Sequence, residues 1–210
     1  MKKALSISIL IFALTACSSP KVGVNSFEGK LTYSVSSPTS NPDLSDSINY
    51  QIVYAKDSML RIDNFTPIGK QIYIKHIPKN KAYILMDIGV KKVAIQTIAD
   101  TLENNSRYHF KQIRGKEKFA GRKAKNISVT DTALDTTIIM NYLEEIPSKY
   151  STAIEGMPGL PVHYSFYSNG AWITYRLIAI EEGVLNIDLF GIPSDYEIIT
   201  LDEFIEMIKD

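Results

Sequence analysis

Alternation of apolar and polar residues with a period of two is the feature that most constrains the fold of this chain. Because successive side chains of a strand point to opposite faces of a sheet, the alternation predicts strands that are buried on one face. The pattern occupies residues 31–35, 48–54, 72–74, 93–95, 108–110, 127–129, 136–142 and 162–166. Turn sequences such as Ser168-Asn169-Gly170 separate the segments. We therefore predict a mainly β fold with a few helices, arranged as an antiparallel meander, barrel or sandwich. Strands and helices do not alternate along the chain, which argues against a parallel sheet.

A short helix is predicted at the C-terminus. Thr200 is a good N-cap, and Glu203 stands three residues later, as a capping box requires. The apolar residues that share one face of this helix are Leu201, Phe204, Ile205 and Ile208. A helix with one apolar face is expected to pack on the sheet.

Three segments lack the strand pattern. Residues 36–47 contain two prolines and are predicted to form a loop. Residues 98–106 are predicted to form a loop or a short helix. Residues 144–159 are irregular, with one helical turn expected near residues 149–154.

The first 17 residues resemble the leader of a bacterial lipoprotein. Lys2 and Lys3 precede an apolar run, residues 4–13, which is shorter than the about 20 residues that a membrane-spanning helix needs. Residues 14–17, Leu-Thr-Ala-Cys, match the lipobox of that family. The resemblance implies cleavage before Cys17, a diacylglycerol thioether on its sulfur and usually a fatty acyl group, such as palmitate, on its new amino group. An ordinary signal peptide with a chance cysteine, or an uncleaved anchor, is the alternative.

The leader divides the chain into three parts. Residues 1–16 are predicted to be a signal peptide, residues 17–26 a lipidated tether and residues 27–210 a single β-rich domain. The nine residues after Cys17 reach at most about 30 Å, so the domain is expected to sit close to the bilayer. Ser18 stands where lipoproteins retained in the inner membrane have Asp, which favours the outer membrane, facing the periplasm.

Composition excludes several classes of protein. Cys17 is the single cysteine, so no internal disulfide is possible. The chain has 23 basic and 23 acidic residues, and therefore no overall basic excess for binding nucleic acid or acidic lipid headgroups. The expected partner is the membrane, reached through the lipid, with any protein partner unidentified.

Catalytic motifs are not found in the sequence. It contains no Gly-x-Ser-x-Gly elbow, Walker-type loop or dinucleotide-binding glycine pattern. His76, His109 and His163 are isolated, without metal-ligand spacing. The adjacent carboxylates at residues 144–145 and 181–182 would point to opposite faces of a strand. We predict no catalytic residue, no metal site, no cofactor and no enzymatic activity.

Aromatic residues suggest a ligand site. The chain has twelve tyrosines, eight phenylalanines and one tryptophan. A curved sheet with such residues on its concave face can hold an acyl chain or another apolar ligand. The candidate ligand-binding residues are Tyr164, Phe166, Trp172 and Met140. The alternative is that these residues simply fill the core.

A second resemblance rests on residues 121–125, 145–147 and 156–161. The last of these reads Gly-Met-Pro-Gly-Leu-Pro and resembles the loop that names the GLPGLI family of secreted bacterial proteins, with departures at Met157 and Pro161. Residues 188–196 are similar to the ending of related uncharacterised lipoproteins. Both groups are similar to LolA/LolB envelope proteins. This implies an antiparallel half-barrel wrapped around helices, with a cavity that can bind lipid, and no catalytic residue. Pro158 and Pro161 also have a structural interpretation, as a rigid turn before the strand at Val162.

Two functions remain open from the sequence. The first is a non-catalytic envelope lipoprotein that binds a lipid or other apolar small molecule in a curved β-sheet. The second is a structural or interaction lipoprotein that contacts another envelope protein.

Overall fold

The alternating segments form strands of one curled sheet in a computed structural model, which describes residues 26–37, 50–66, 69–79, 81–98, 107–154, 156–168 and 170–209. The first meander contains β1 (Glu28–Ser36), β2 (Tyr50–Lys56), β3 (Met59–Thr66), β4 (Gly69–His76), β5 (Lys81–Asp87) and β6 (Lys92–Ile98). The second contains β7 (Tyr108–Phe119), β8 (Arg122–Asp131), β9 (Thr136–Leu143), β10 (Leu160–Ser168) and β11 (Ala171–Glu182), and it is followed by β12 (Glu197–Thr200) and the helix α1 (Leu201–Met207).

The two meanders join into one sheet because β1 pairs antiparallel with β11. The described strands follow the order β12-β6-β5-β4-β3-β2-β1-β11-β10-β9-β8-β7, so β7 and β12 are the edges. These findings confirm the mainly β, antiparallel prediction. The described strands depart from antiparallel pairing at one place, where β12 pairs parallel with β6. Residues 183–196 connect β11 to β12, and β12 begins at the same end of the sheet as β6.

The main core lies on the inner, concave face of the sheet. Directly opposed residues share a face, so the pairs Leu31↔Val53 and Val53↔Ile62 place all three side chains inside. The irregular segment 144–159 lies over this face and buries four apolar side chains, those of Ile146, Tyr150, Ile154 and Met157. The predicted irregular segment is confirmed, with a single 3-10 turn at Ser148–Tyr150. The helices implied by the LolA/LolB resemblance are not found inside the sheet among the described residues, because this segment occupies the space.

A second, smaller core lies on the outer face of β4, β5 and β6. It contains Ile72, Ile74, Leu85 and Ala94, and Ile192 and Tyr196 pack against it. We call residues 183–196, which carry those last two side chains, the strap. The strap covers the outer face of β4–β6, so these strands bury apolar side chains on both faces. An ordinary antiparallel sheet often has one face exposed to solvent.

Hydrogen bonds from β3 and β4 hold the strap in place. Arg61 Nη1 donates to the carbonyl oxygen of Leu189 at 3.0 Å, and His76 Nε2 lies 3.2 Å from the carbonyl oxygen of Phe190. Asp63 is buried and accepts from Arg61 Nε at 2.7 Å, with Lys70 Nζ also at 2.7 Å. The buried carboxylate is therefore paired with two cations, as burial of a charge requires.

The C-terminal helix is confirmed, together with its capping box between Thr200 and Glu203. Its predicted apolar face is only partly buried. Phe204 and Met207 are half-buried, whereas Leu201 is 52% exposed and Ile208 61% exposed. The helix contacts the edge strand β12 and its neighbour β6 rather than the middle of the sheet, so the outer part of its apolar face is left uncovered by the described residues.

Several predictions about the termini and loops lie outside the described residues. These include the signal peptide, Cys17 and most of the tether, as well as parts of the segments 36–47 and 98–106. Within the part of the chain that is described, no helix has the length and apolar character needed to cross a bilayer.

Candidate functional site

A cavity of about 290 Å³ opens on the inner face of the sheet, between its middle strands and the segment 144–159. Its lining residues are Tyr33, Gln51, Val53, Ile62, Asn64, Tyr150, Ser151, Thr152, Ala153, Tyr164, Phe166 and Tyr175. The lining is divided between aromatic rings on one side and amide groups on the other.

The aromatic wall comes from β10 and β11. Strand alternation points Tyr164 and Phe166 inward, and register places Tyr175 directly opposite Tyr164. The rings of Tyr164 and Tyr175 are stacked, with centroids 5.0 Å apart and planes within 3° of parallel. Phe166 stacks on the same Tyr175 ring at 5.5 Å. The stack forms a continuous apolar surface along one side of the cavity.

A row of amides crosses the neighbouring strands. Tyr33, Gln51, Asn64 and Gln71 are successive cross-strand partners on β1, β2, β3 and β4. Gln51 Nε2 donates to Asn64 Oδ1 at 2.8 Å, which orients both amides. Each amide has more donor and acceptor capacity than this one bond uses. The row therefore presents hydrogen-bonding groups next to the aromatic wall.

A second cavity, of about 450 Å³, continues the first along β3, β4 and β5. The two share Gln51, Ile62, Asn64 and Thr152 in their linings. The second cavity adds Gln71 and Tyr73 to the lining. We call the two together the concave groove.

Three tyrosines of the groove, Tyr33, Tyr164 and Tyr175, are held in their neutral form. Burial raises the pKa of Tyr164 well above its usual range, and the nearby hydroxyls of Tyr33 and Tyr175 act in the same direction. Burial also raises the pKa of Tyr33 and of Tyr175. Tyr33 Oη already donates to the carbonyl oxygen of Pro161 at 2.9 Å. These phenols can bind and orient a ligand, but they do not titrate near neutral pH.

The four residues predicted to bind a ligand separate into three environments. Tyr164 and Phe166 line the groove. Met140 faces the same side but is only 1% exposed and packs in the core. Trp172 pairs with Tyr167 and lies on the outer face, with the two rings 5.6 Å apart. The placement of Trp172 in the site is wrong, since strand alternation puts it on the opposite side from Ile173 and Tyr175.

Sequence reasoning missed the amide row. Gln51, Asn64 and Gln71 stand at inward positions of strands that are otherwise apolar on that face. A polar residue at the same inward position of three successive strands was the available signal. The sequence did not reveal this signal, because Ile52 and Tyr54, which lie on the other face of β2, have the pattern expected of the buried face of a strand.

His76 and His163 make structural contacts away from the groove. His163 lies on the outer face, with Nδ1 3.3 Å from Asn141 Oδ1. Burial, and then the nearby Arg176 guanidinium, lower the pKa of His163. Across the described ranges, no three His, Cys, Asp or Glu side chains are grouped as a metal site would need.

Comparisons with known proteins bear on the fold. No family model matches the chain, and no curated protein matches it in sequence. The chain is similar to two solved structures of PNGF-II. The structure in space group C2 has a TM-score of 0.52 at 14% identity and is matched over 86% of this chain and 32% of that chain. The structure in space group P21 has a TM-score of 0.54 at 14% identity, over 88% of this chain and 34% of that chain.

The likeness shows a shared fold and nothing about activity. This chain spans about a third of the length of PNGF-II. The GLPGLI and LolA/LolB resemblances stay predictions.

Proposed function

We propose that this protein is a lipid-anchored, non-catalytic binding protein of the bacterial envelope, which holds a lipid or similar amphipathic small molecule in the concave groove. The observation that carries the proposal is the aromatic wall of Tyr164, Tyr175 and Phe166 facing the amide row of Gln51, Asn64 and Gln71. Ligand sites commonly combine a large apolar surface with a few polar groups that fix orientation.

The aromatic wall and the amide row together indicate the kind of ligand that the groove would hold. The stacked rings supply apolar contact for a chain or ring system, since each aromatic side chain buries a large area when covered. The amides of Gln51, Asn64 and Gln71 supply donors and acceptors for a polar group. A ligand with one apolar part and one hydrogen-bonding part fits this division better than a fully apolar one.

The chemistry of the lining favours binding over catalysis. Among the described residues, the linings of both cavities contain no carboxylate, histidine, lysine, arginine or cysteine side chain. Their titratable groups are tyrosines, and the pKa of three of these is raised. General acid–base catalysis needs a group that titrates near the working pH, which this lining does not supply.

Ligand retention is tested best by blocking the groove mouth. Thr152 is exposed and belongs to both cavity linings, so Thr152→Trp is expected to fill the mouth without disturbing the core. We expect native mass spectrometry of the wild-type mature chain, purified from cells without its lipid anchor, to show a bound small molecule that organic extraction releases. Thr152→Trp should lower its occupancy by about ten-fold or more.

The matched control is Gln96→Trp, which adds the same ring at an exposed position of β6 outside both linings. The control should retain the ligand at the wild-type level. A wild-type protein that carries no adduct after gentle purification would contradict the binding proposal. An adduct that persists in Thr152→Trp would place the ligand elsewhere.

The proposed location rests on the lipobox. We expect cells grown with labelled palmitate to label the wild-type protein and leave Cys17→Ala unlabelled, because only a thiol can form the thioether. The wild type should fractionate with the outer membrane. Label that remains on Cys17→Ala would refute the anchor but leave the groove proposal intact.

The second candidate function is an interaction lipoprotein. The observation in its favour is the exposed apolar surface at the β12 edge, where Ile198 is 56% exposed and lies near the equally exposed Leu201 of α1. Exposed apolar surface of this kind often marks a contact with another protein. Cross-linking in cells from this edge would favour this function if one envelope protein dominates and the groove is empty.

A further inference from the structure

The tip of the β7–β8 hairpin carries like charges in opposed positions. Lys118 lies directly opposite Lys123, and Lys116 directly opposite Lys125. Like charges that face each other across a strand pair destabilise it. Lys125 is compensated by Glu144 Oε2 at 2.5 Å. Lys116, Lys118 and Lys123 are exposed and have no ion-pair partner within the described ranges.

These three lysines are not counterions for the protein's own carboxylates. The acidic side chains around the same end of the sheet pair with other cations: Glu182 and Glu145 with Arg122, Glu181 with Lys30, Glu28 with Lys56, and Glu144 with Lys125. Glu117 belongs to the opposite face of β7, where it acts on His163. Asp57, in the β2–β3 turn, is an exposed acid for which the described chain offers no basic partner. The lysines therefore leave an excess of positive charge at the hairpin tip.

The same end of the molecule receives the tether. Ser26, where the described chain begins, lines a surface cavity together with Arg122 of the hairpin and with Val184. The predicted tether of nine residues reaches at most about 30 Å, so it holds the hairpin tip near the bilayer. Val184 is 90% exposed, an unusual position for a large aliphatic side chain beside a charged hairpin. We call Lys116, Lys118, Lys123 and Val184 the tether-side surface.

We propose that the tether-side surface docks on anionic lipid headgroups of the membrane that carries the tether. The inference rests on the lipid anchor of the proposed function and goes beyond it by assigning a second, non-covalent membrane contact. Lysines near an anionic bilayer each strengthen binding about five-fold, and an exposed aliphatic side chain can enter the interfacial region. The contact is weak by itself, but the anchor raises the local lipid concentration and makes it effective. Docking would hold the domain in one orientation on the bilayer.

The test uses the mature chain from residue 17 with Cys17→Ser, so that no covalent lipid contributes. Co-sedimentation is measured with vesicles of phosphatidylcholine containing phosphatidylglycerol and with vesicles of phosphatidylcholine alone. We expect binding to the anionic vesicles only, falling as salt rises because exposed charges are screened. The double variant Lys118→Gln/Lys123→Gln should bind the anionic vesicles roughly 25-fold more weakly.

The matched control is Lys111→Gln/Arg114→Gln, which removes the same charge from exposed positions of the same strand, farther from the tip. Both positions lie before Lys116 on β7, so their substitution leaves the opposed lysines at the hairpin tip in place. Binding that falls equally in both double variants, or no preference of the wild type for anionic vesicles, would overturn the proposal. In that outcome the lysines act only to protect the free edge of β7 from pairing with other strands.

The two proposals fail separately. The preference for anionic vesicles that salt and the lysine substitutions remove does not depend on the concave groove, because its described lining carries no charged side chain. Ligand retention in Thr152→Trp does not involve the hairpin. Palmitate labelling tests the anchor, on which the docking inference rests, and the vesicle assay tests the docking surface without the anchor. Each result therefore identifies which proposal is wrong.

Discussion

Replacing Gly159 with alanine is expected to lower the free energy of unfolding by about 3 kcal/mol or more. An added Cβ would lie 2.2 Å from the carbonyl oxygen of Leu143 and 2.8 Å from its carbonyl carbon. Both are backbone atoms of β9, and the next residue, Leu160, is tied there by its register with Leu143 and by a 2.8 Å hydrogen bond from its N–H to the carbonyl oxygen of Ile146. The clash cannot be relieved by rotating a side chain. Denaturant unfolding of Gly159→Ala against wild type measures the loss.

The control for this prediction is Gly183→Ala. Gly183 is exposed, and no heavy atom lies within 4 Å of the position that an added methyl group would take. Its backbone is outside the left-handed region, so the unfolding free energy should change by only about 0.5 kcal/mol. Equal losses in the two variants would show that the close approach at Gly159 is not what limits substitution. A selective loss would assign this glycine of the Gly-Met-Pro-Gly-Leu-Pro loop to backbone packing rather than to ligand contact.

Replacing Tyr150 with alanine is expected to destabilise the fold by about 4 kcal/mol. Tyr150 is fully buried on the inner face of the sheet, with its ring centroid 6.1 Å from that of Phe27. Its hydroxyl donates to the carbonyl oxygen of Asp57 at 2.9 Å and accepts from the N–H of Phe27 at 3.2 Å. Tyr150 therefore connects the segment 144–159 to Phe27, just before β1, and to the β2–β3 turn. Removing the ring leaves a cavity and frees two backbone groups.

Tyr150→Phe separates these contributions. It keeps the ring and removes the two hydrogen bonds, so we expect a loss of about 1–2 kcal/mol. Both variants are compared by equilibrium unfolding. A Tyr150→Phe protein as unstable as Tyr150→Ala would mean that the hydroxyl contacts, and not burial of the ring, hold the segment. A Tyr150→Ala protein as stable as wild type would mean that the segment is not required for the core.

Much of the secondary structure follows from local patterns. The alternation over residues 136–142 predicts a strand that the structure has at Thr136–Leu143. The capping box at Thr200 and Glu203 predicts the start of α1, because both partners lie within one turn. The predicted alternating segments did not include β3, β5, β11 or β12. Of these, β3 carries the charged Arg61 and Asp63, and β12 has only four residues.

The assignment of faces was much harder to predict. Ile72 and Ile74 show the same alternation as Tyr164 and Phe166, yet the first pair packs under the strap and the second lines the concave groove. The sequence cannot distinguish these cases, because the strap comes from residues more than a hundred positions away. Trp172 lies on the outer face because the register of β11 places it opposite Tyr167, and that register is not visible in the sequence.

By itself, the sequence determined where most strands lie, where the C-terminal helix begins and which cysteine is a candidate for lipidation, since each depends on residues close together in the chain. Only the tertiary structure decided which face of the sheet is concave, that an irregular segment and not a helix fills it, and that amides from three strands meet an aromatic wall. Those features depend on register and on the pairing of β1 with β11, which joins residues about 150 positions apart. Contacts of that range arise from packing of the whole sheet, and no local pattern specifies them.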